Sequence, residues 1–260
     1  MFDFHLHSLV SFDGRDDARS IAQAAADRGL KEICFTDHVE DDPRGVTKDQ
    51  FSIEEYNATY NDLQIPGLTV RKGLEFGMLE NNQQLLKWYL SQRHFDFVIA
   101  SIHFVDEWDI YYPEYWAGKS QDYAEQRYFE TMLACVKNHE DFDVLGHLTY
   151  ISKPMANPTK RLIPYAQFGD LTGEILKTLV SKGKGMEINT SGLDRCGDFL
   201  PGEEYLRRFK ELGGEIVTVG SDSHGADNVG RYCDRAIAMA KDIFGYVCTF
   251  ADRKPVFHKL

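Results

Sequence analysis

A chain of 260 residues with a hydrophobic share of 43% has the apolar material for one large packed domain or two ordinary ones, which excludes a disordered chain. Its net charge of -12 at pH 7 repels phosphate backbones and excludes a general nucleic-acid binder, but not a small phosphorylated ligand, which answers to the local field. Five scattered cysteines without a Cys-x-x-Cys pair, a first strand beginning at residue 2 and the lack of a membrane-length apolar run predict a soluble cytoplasmic protein with free thiols, no membrane partner and an open oligomeric state.

The first element is "FDFHLHS". Strand alternation places Phe2, Phe4 and Leu6 on one face and Asp3, His5 and His7 on the other, so two imidazoles stand together at a strand end. In "DARSIAQAAADRGLKEICFTDH", Ile21, Ala24, Ala25 and Leu30 recur at helical spacing, Gly29 caps the helix and a strand follows. "LTVRKGLEFG", "FDFVIASIHF" and "FDVLGHLTY" continue the series, and "LTGEILKTLVSKGKGMEINTSG" and "GEEYLRRFKELGGEIVTVGSDSH" repeat the helix–glycine–strand pattern. Seven strands are predicted near 2–7, 32–38, 69–75, 96–103, 143–147, 185–189 and 215–221. Their alternation with helices gives an α/β architecture with a mostly parallel sheet and a single domain over 1–260. The stretches 107–121, rich in Tyr and Trp, and 152–170, with three prolines, read as long functional loops.

Ligand-type residues gather at the strand ends. His5 and His7 end the first, with Asp13 in the loop beyond; His38 ends the second, Glu75 the third, His103 the fourth and His147 the fifth, and Asp222 and His224 follow the seventh. Taken singly, each reads equally well as a solvated loop end. In a parallel α/β barrel, however, the C-terminal strand ends share one rim, and nine such groups crowded together need cations. With three or four ligands per ion they support two or three divalent metals, and nitrogen and oxygen donors without cysteine suit Zn, Mn or Fe. Glu187 and Asn189 also reach that rim as supporting or substrate-contacting candidates. His94, His139 and His258 lie away from strand ends and are expected to be solvated.

"DFHLHS" with Asp13, then "TDH", "GLEFG", "ASIHF", "LGH" and "GSDSH", resemble in order the motifs of the PHP (polymerase and histidinol phosphatase) superfamily, from residue 3 to residue 224. "SIHF" and "EINTSGL…GSDSH" look most like its histidinol-phosphate phosphatase branch. The resemblance implies a distorted seven-stranded (β/α)7 TIM-like barrel and a trinuclear metal centre. It implies one ion on His5, His7, Glu75 and Asp222, a second bridged by Glu75 and held by His103 and His147, and a third on Asp13, His38 and His224. Asp13 stands where some members have histidine. The implied activity is hydrolysis of L-histidinol phosphate in histidine biosynthesis, a hydroxide held between two ions attacking phosphorus in line. Glu75, Asp222 and His224 then serve the chemistry, with Asp222 or a second water giving the leaving group its proton.

Arg161 and Arg195, in loops after strands five and six, are candidate phosphate contacts because guanidinium matches a phosphoryl group with a bidentate fork; Lys153 is a weaker one. Asp106 and Glu107 are candidates to meet a cationic group of the substrate. The alternative reading is a PHP phosphoesterase acting on nucleotides or other small phosphate esters. An amidohydrolase, which lacks a matching later motif here, and a non-catalytic binding module are the remaining classes.

Overall fold

Short β-rich runs between amphipathic helices fold as their periodicity requires in the computed structural model, which describes residues 1–45, 51–153, 156, 157, 159 and 161–260. In chain order the elements are β1 (Phe2–Leu6), α1 (Ala18–Asp27), β2 (Glu32–Phe35), β3 (His38–Val39), α2 (Ile53–Tyr60), β4 (Thr69–Gly77), α3 (Gln83–Gln92) and β5 (Phe97–Ser101). There follow β6 (Phe104–Val105), β7 (Trp108–Asp109), α4 (Pro113–Trp116), α5 (Gln121–Asn138), β8 (Val144–Leu145) and α6 (Gly169–Ser181). The chain ends with β9 (Gly185–Asn189), α7 (Glu203–Glu211), β10 (Val217–Gly220), α8 (Cys233–Ile243), β11 (Tyr246–Ala251) and β12 (Lys254–Lys259).

Strands β1, β2, β4, β5, β8, β9 and β10 are parallel neighbours in that order, with β3 paired to β4. The sheet nearly closes on itself: the Asp222 N–H donates to the His5 carbonyl and the His7 N–H to the Ser223 carbonyl, both at 2.9 Å. This is the expected distorted seven-stranded α/β barrel. In α1 the buried stripe is Ala18, Ile21, Ala22 and Ala25, the Asp17 side chain caps the start, and Gly29 beyond the end takes φ +77°, where a side chain would be strained.

Several local readings need correction. The predicted strand 32–38 is interrupted, because Asp37 turns its carboxylate to the Ser8 N–H (2.8 Å), the Ser11 hydroxyl (2.9 Å) and the Tyr60 hydroxyl (2.5 Å), and His38 pairs separately on β4. Strict alternation fails in β1, where the register slips between Asp3 and Leu6. Phe4 therefore packs with Cys34, Phe97, Ile99, Val144 and Phe250, while Asp3 turns away from the imidazoles to accept hydrogen bonds from Ser221 and the Gly230 N–H. The stretch 107–121 contains β7 and α4, and part of 152–170 lies outside the described residues.

The hairpin of β11 and β12 has no glycine in its turn, where Asp252 and Arg253 both take positive φ, so it carries no obvious sequence signal. It closes the end of the barrel where the strands begin. Phe250 stacks near Phe97 (4.7 Å between ring centroids), and the Arg253 Nε donates to Asp143 Oδ2 at 2.5 Å, one residue before β8. The opposite end, where the strands finish, stays open. His139 is buried rather than solvated, anchoring the end of α5 through the Cys135 carbonyl (2.9 Å) and Asn82 (3.0 Å). His258 is half-buried, hydrogen-bonded to the Thr249 hydroxyl (2.7 Å) beside Phe2, and His94 is exposed.

Candidate metal centre

At the open end the nine ligand-type residues gather, with five of the histidines ringed around Glu75, the inward-facing carboxylate of β4. Its Oε2 lies 3.2 Å from His5 Nε2, 3.4 Å from His7 Nε2 and 3.0 Å from His38 Nδ1. Its Oε1 lies 2.8 Å from His147 Nε2 and 3.5 Å from His103 Nε2, and accepts from the Ser101 hydroxyl at 2.6 Å. Asp222 adds Oδ1 at 3.8 Å from His5 and 3.6 Å from His7, and Asp13 sits 3.1 Å from His224 Nε2 and 3.7 Å from His38 Nε2.

The tautomers are fixed from behind. The Nδ1–H of His5 donates to Glu187 Oε1 at 2.6 Å, that of His7 to the Ser11 hydroxyl at 3.1 Å, that of His103 to Glu40 Oε1 at 2.6 Å and that of His224 to the Asp222 carbonyl at 3.0 Å. Each of these rings then turns its Nε2 toward a carboxylate oxygen, a contact that only a proton or a cation between them makes favourable. His5 Nε2, His7 Nε2, His38 Nδ1, His147 Nδ1, Glu75 Oε2 and Glu40 Oε2 are buried without a hydrogen-bond partner. Four overlapping triples have ligand atoms within 4.8 Å of one another: His5–His7–Glu75, Glu75–His103–His147, His7–His38–His224 and His38–Glu40–His103. The donor set fits divalent ions, and orphaned buried atoms of this kind are otherwise costly.

The acidities tell the same story. Burial opposes charge on Glu75, yet His5, His38 and His103 outweigh it and hold the carboxyl well below the usual range. Burial likewise opposes charge on Asp222, but Lys153 and His5 keep it ionised. His5 is pushed well above an ordinary imidazole because Glu187, Glu75 and Asp222 overcome its burial. His7 goes the other way, lowered by burial and by its neighbours His224 and His38.

The cluster floors a cavity of about 860 Å³. Arg195 lines it, with no carboxylate paired to its guanidinium among the described residues. Arg161 is not brought to the wall; Asp122 (3.1 Å) and Glu125 (3.0 Å) of α5 hold it. Lys153 lines the cavity but is committed to Asp222 Oδ2 at 2.6 Å. Asp106 and Glu107 do not face it. They are the two turn residues of the β6–β7 hairpin, both at positive φ, and Asp106 pairs outward with Arg127 at 2.7 Å. The acid of that hairpin on the cavity wall is Asp109, and Phe12, Tyr111 and Tyr112 line the same cavity. Glu187 and Asn189 lie behind the candidate ligands: Glu187 holds His5 and accepts the His147 N–H (2.8 Å), and the Asn189 amide donates to Glu187 (3.2 Å).

Sequence reasoning missed Glu40, Asp37 and Asp109. Glu40 stands two residues beyond His38 in "TDHVE", the spacing at which strand side chains share a face, and that signal was available. Asp37 was visible in the same motif, but its tie to Ser8, Ser11 and Tyr60 depends on contacts that spacing does not encode.

The PHP domain model matches residues 3–191. A probable histidinol-phosphatase from Clostridium acetobutylicum is 32% identical over 260 residues, covering 99% of this chain and 96% of the relative. A histidinol-phosphatase from Lactococcus lactis is 32% identical over 226 residues, covering 85% and 83%. Among solved structures, histidinol phosphate phosphatase from Lactococcus lactis, complexed with zinc, L-histidinol and phosphate, aligns with a TM-score of 0.78 at 28% identity, covering 98% of each chain.

Proposed function

The chain belongs to the PHP domain family, and from that premise we propose that it is a metal-dependent phosphomonoesterase hydrolysing L-histidinol phosphate to L-histidinol and phosphate. The observation that carries the reading is the cavity above the ligand cluster, whose lining includes the Arg195 guanidinium, without a carboxylate partner among the described residues, and the Asp109 carboxylate, without a lysine or arginine partner among them. L-Histidinol phosphate has the matching ends, an anionic phosphoryl group and a cationic amine with an imidazole.

His5, His7, Glu75 and Asp222 would hold one ion, Glu75, His103 and His147 a second, and Asp13, His38 and His224 a third, with zinc, manganese and iron all suited to these donors. Bound there, divalent ions neutralise phosphoryl charge and lower the pKa of water toward about 7. Arg195 takes the phosphoryl oxygens with its planar fork. Lys153 keeps Asp222 ionised by a 2.6 Å contact to Oδ2, which favours a second water over Asp222 as the source of the leaving-group proton. Asp109 receives the substrate's cationic end. Its Oδ1 accepts the Tyr111 N–H at 2.8 Å, and among the described residues no lysine or arginine pairs with it. Burial pushes its carboxyl up, a cost that an arriving cation offsets.

Protein reconstituted with Zn, Mn or Fe should turn over L-histidinol phosphate faster than nucleoside monophosphates or glycerol phosphate. Equal rates across that panel would leave only the broader phosphomonoesterase. Asp109→Asn should raise KM for L-histidinol phosphate roughly tenfold or more, the worth of one charge-assisted hydrogen bond, and leave KM for glycerol phosphate nearly unchanged. A KM unchanged for L-histidinol phosphate would remove Asp109 from recognition.

A further inference from the structure

Glu40 is a carboxylate whose side chain is only 4% exposed, and its ion-pair partners among the described residues are His103 and His38 alone. Oε1 takes the Nδ1–H of His103 at 2.6 Å and lies 3.4 Å from His38 Nδ1. Oε2 has no hydrogen-bond partner among the described residues. A charge in that position is expensive unless it performs a task.

The backbone across the ladder has been shaped to admit it. A Cβ at Gly77 would stand 1.9 Å from Glu40 Oε2 and 2.7 Å from its Cδ, closer than any real contact. Gly77 closes β4 and is not among the glycines at positive φ, so its conformation does not call for glycine. The space does.

We propose that Glu40 is a positioning residue of the metal centre: it fixes His103 with Nδ1 protonated and Nε2 turned toward Glu75, and Gly77 is glycine to make room for it. The inference rests on the reading of the cluster as a metal centre and adds an outer carboxylate that the motif pattern does not name. It mirrors Glu187 behind His5, so a ring on each side of Glu75 is aimed by a buried carboxylate.

A double-mutant cycle reads this without reference to catalysis. Zinc affinity would be measured by competition with a chromophoric chelator, and ion count at saturation by elemental analysis, for the parent, Glu40→Gln, Glu40→Ala, Gly77→Ala and Glu40→Ala/Gly77→Ala, with circular dichroism to verify folding. Glu40→Ala and Gly77→Ala should each weaken the affected ion roughly 10–100-fold at unchanged saturating stoichiometry. The double variant should lose no more than Glu40→Ala alone, because the added methyl then has nothing to strike. Glu40→Gln, whose amide oxygen still accepts from Nδ1, should recover most of the affinity and also serves if the alanine variants do not fold. Additive losses, no loss in Glu40→Ala or Glu40→Gln no better than Glu40→Ala would overturn the positioning role. So would an ion missing at saturation in Glu40→Gln, which would make Glu40 a direct ligand. A parent protein that takes up no zinc would overturn the metal-centre reading beneath it.

Discussion

Glu75→Gln should leave a folded barrel whose turnover is roughly 10⁴-fold lower or worse, with fewer ions bound at saturation. One carboxylate lies within 3.5 Å of His5, His7, His38, His103 and His147, and no other side chain in the cluster has this reach. The amide keeps the volume, so the strand and its neighbours have no reason to move. It loses the negative charge and turns an NH₂ group toward bare ring nitrogens, so the two ions that Glu75 would bridge lose their common ligand. Turnover of L-histidinol phosphate, metal content and circular dichroism measured on one preparation check it. Full metal content with activity within tenfold of the parent would remove Glu75 from the centre of the site.

Gly220→Ala should also be damaging, although glycine ligates nothing. A Cβ there would come within 2.3 Å of Glu187 Oε1 and 2.3 Å of the His5 Cβ. Neither can give way easily: His5 is fixed on β1, and Glu187 is tied at once to His5 and to the His147 N–H. Overpacking of this kind costs about 1–3 kcal/mol. The displaced Glu187–His5 pair should weaken metal binding by roughly 10–100-fold, as loss of an orienting carboxylate does. Thermal denaturation and a zinc competition titration measure the two parts separately. A variant with the parent's melting temperature and zinc affinity would show that the packing at the β10–β1 seam is looser than these distances imply.

The candidate ligands were legible because strand geometry writes them into the sequence. Period-two alternation and C-terminal strand ends identified His5, His7, His38, Glu75, His103, His147 and Asp222 before any contact was known, and parallel strand order brought them together. What sequence did not carry is partner choice. Arg161 is drawn off by Asp122 and Glu125 on a helix that only tertiary packing places beside it. Asp106 and Glu107 look available in the text of "VDEW", yet a two-residue turn points them outward and leaves Asp109 facing in. The slip in β1 turns Asp3 away and brings Phe4 into the inner cluster, an outcome that depends on the neighbouring ladder rather than on composition. His139 looked like a surface residue at a helix end and is instead a buried anchor, because Asn82 lies across from it in the folded chain.

The most direct test is anomalous scattering from crystals of this protein grown with excess zinc or manganese. Two or three ions should appear at the open end of the barrel, about 2.0–2.2 Å from His5 Nε2, His7 Nε2, His103 Nε2 and the oxygens of Glu75 and Asp222. Peaks only at exposed surface carboxylates, with this cluster unaltered and empty, would contradict the account.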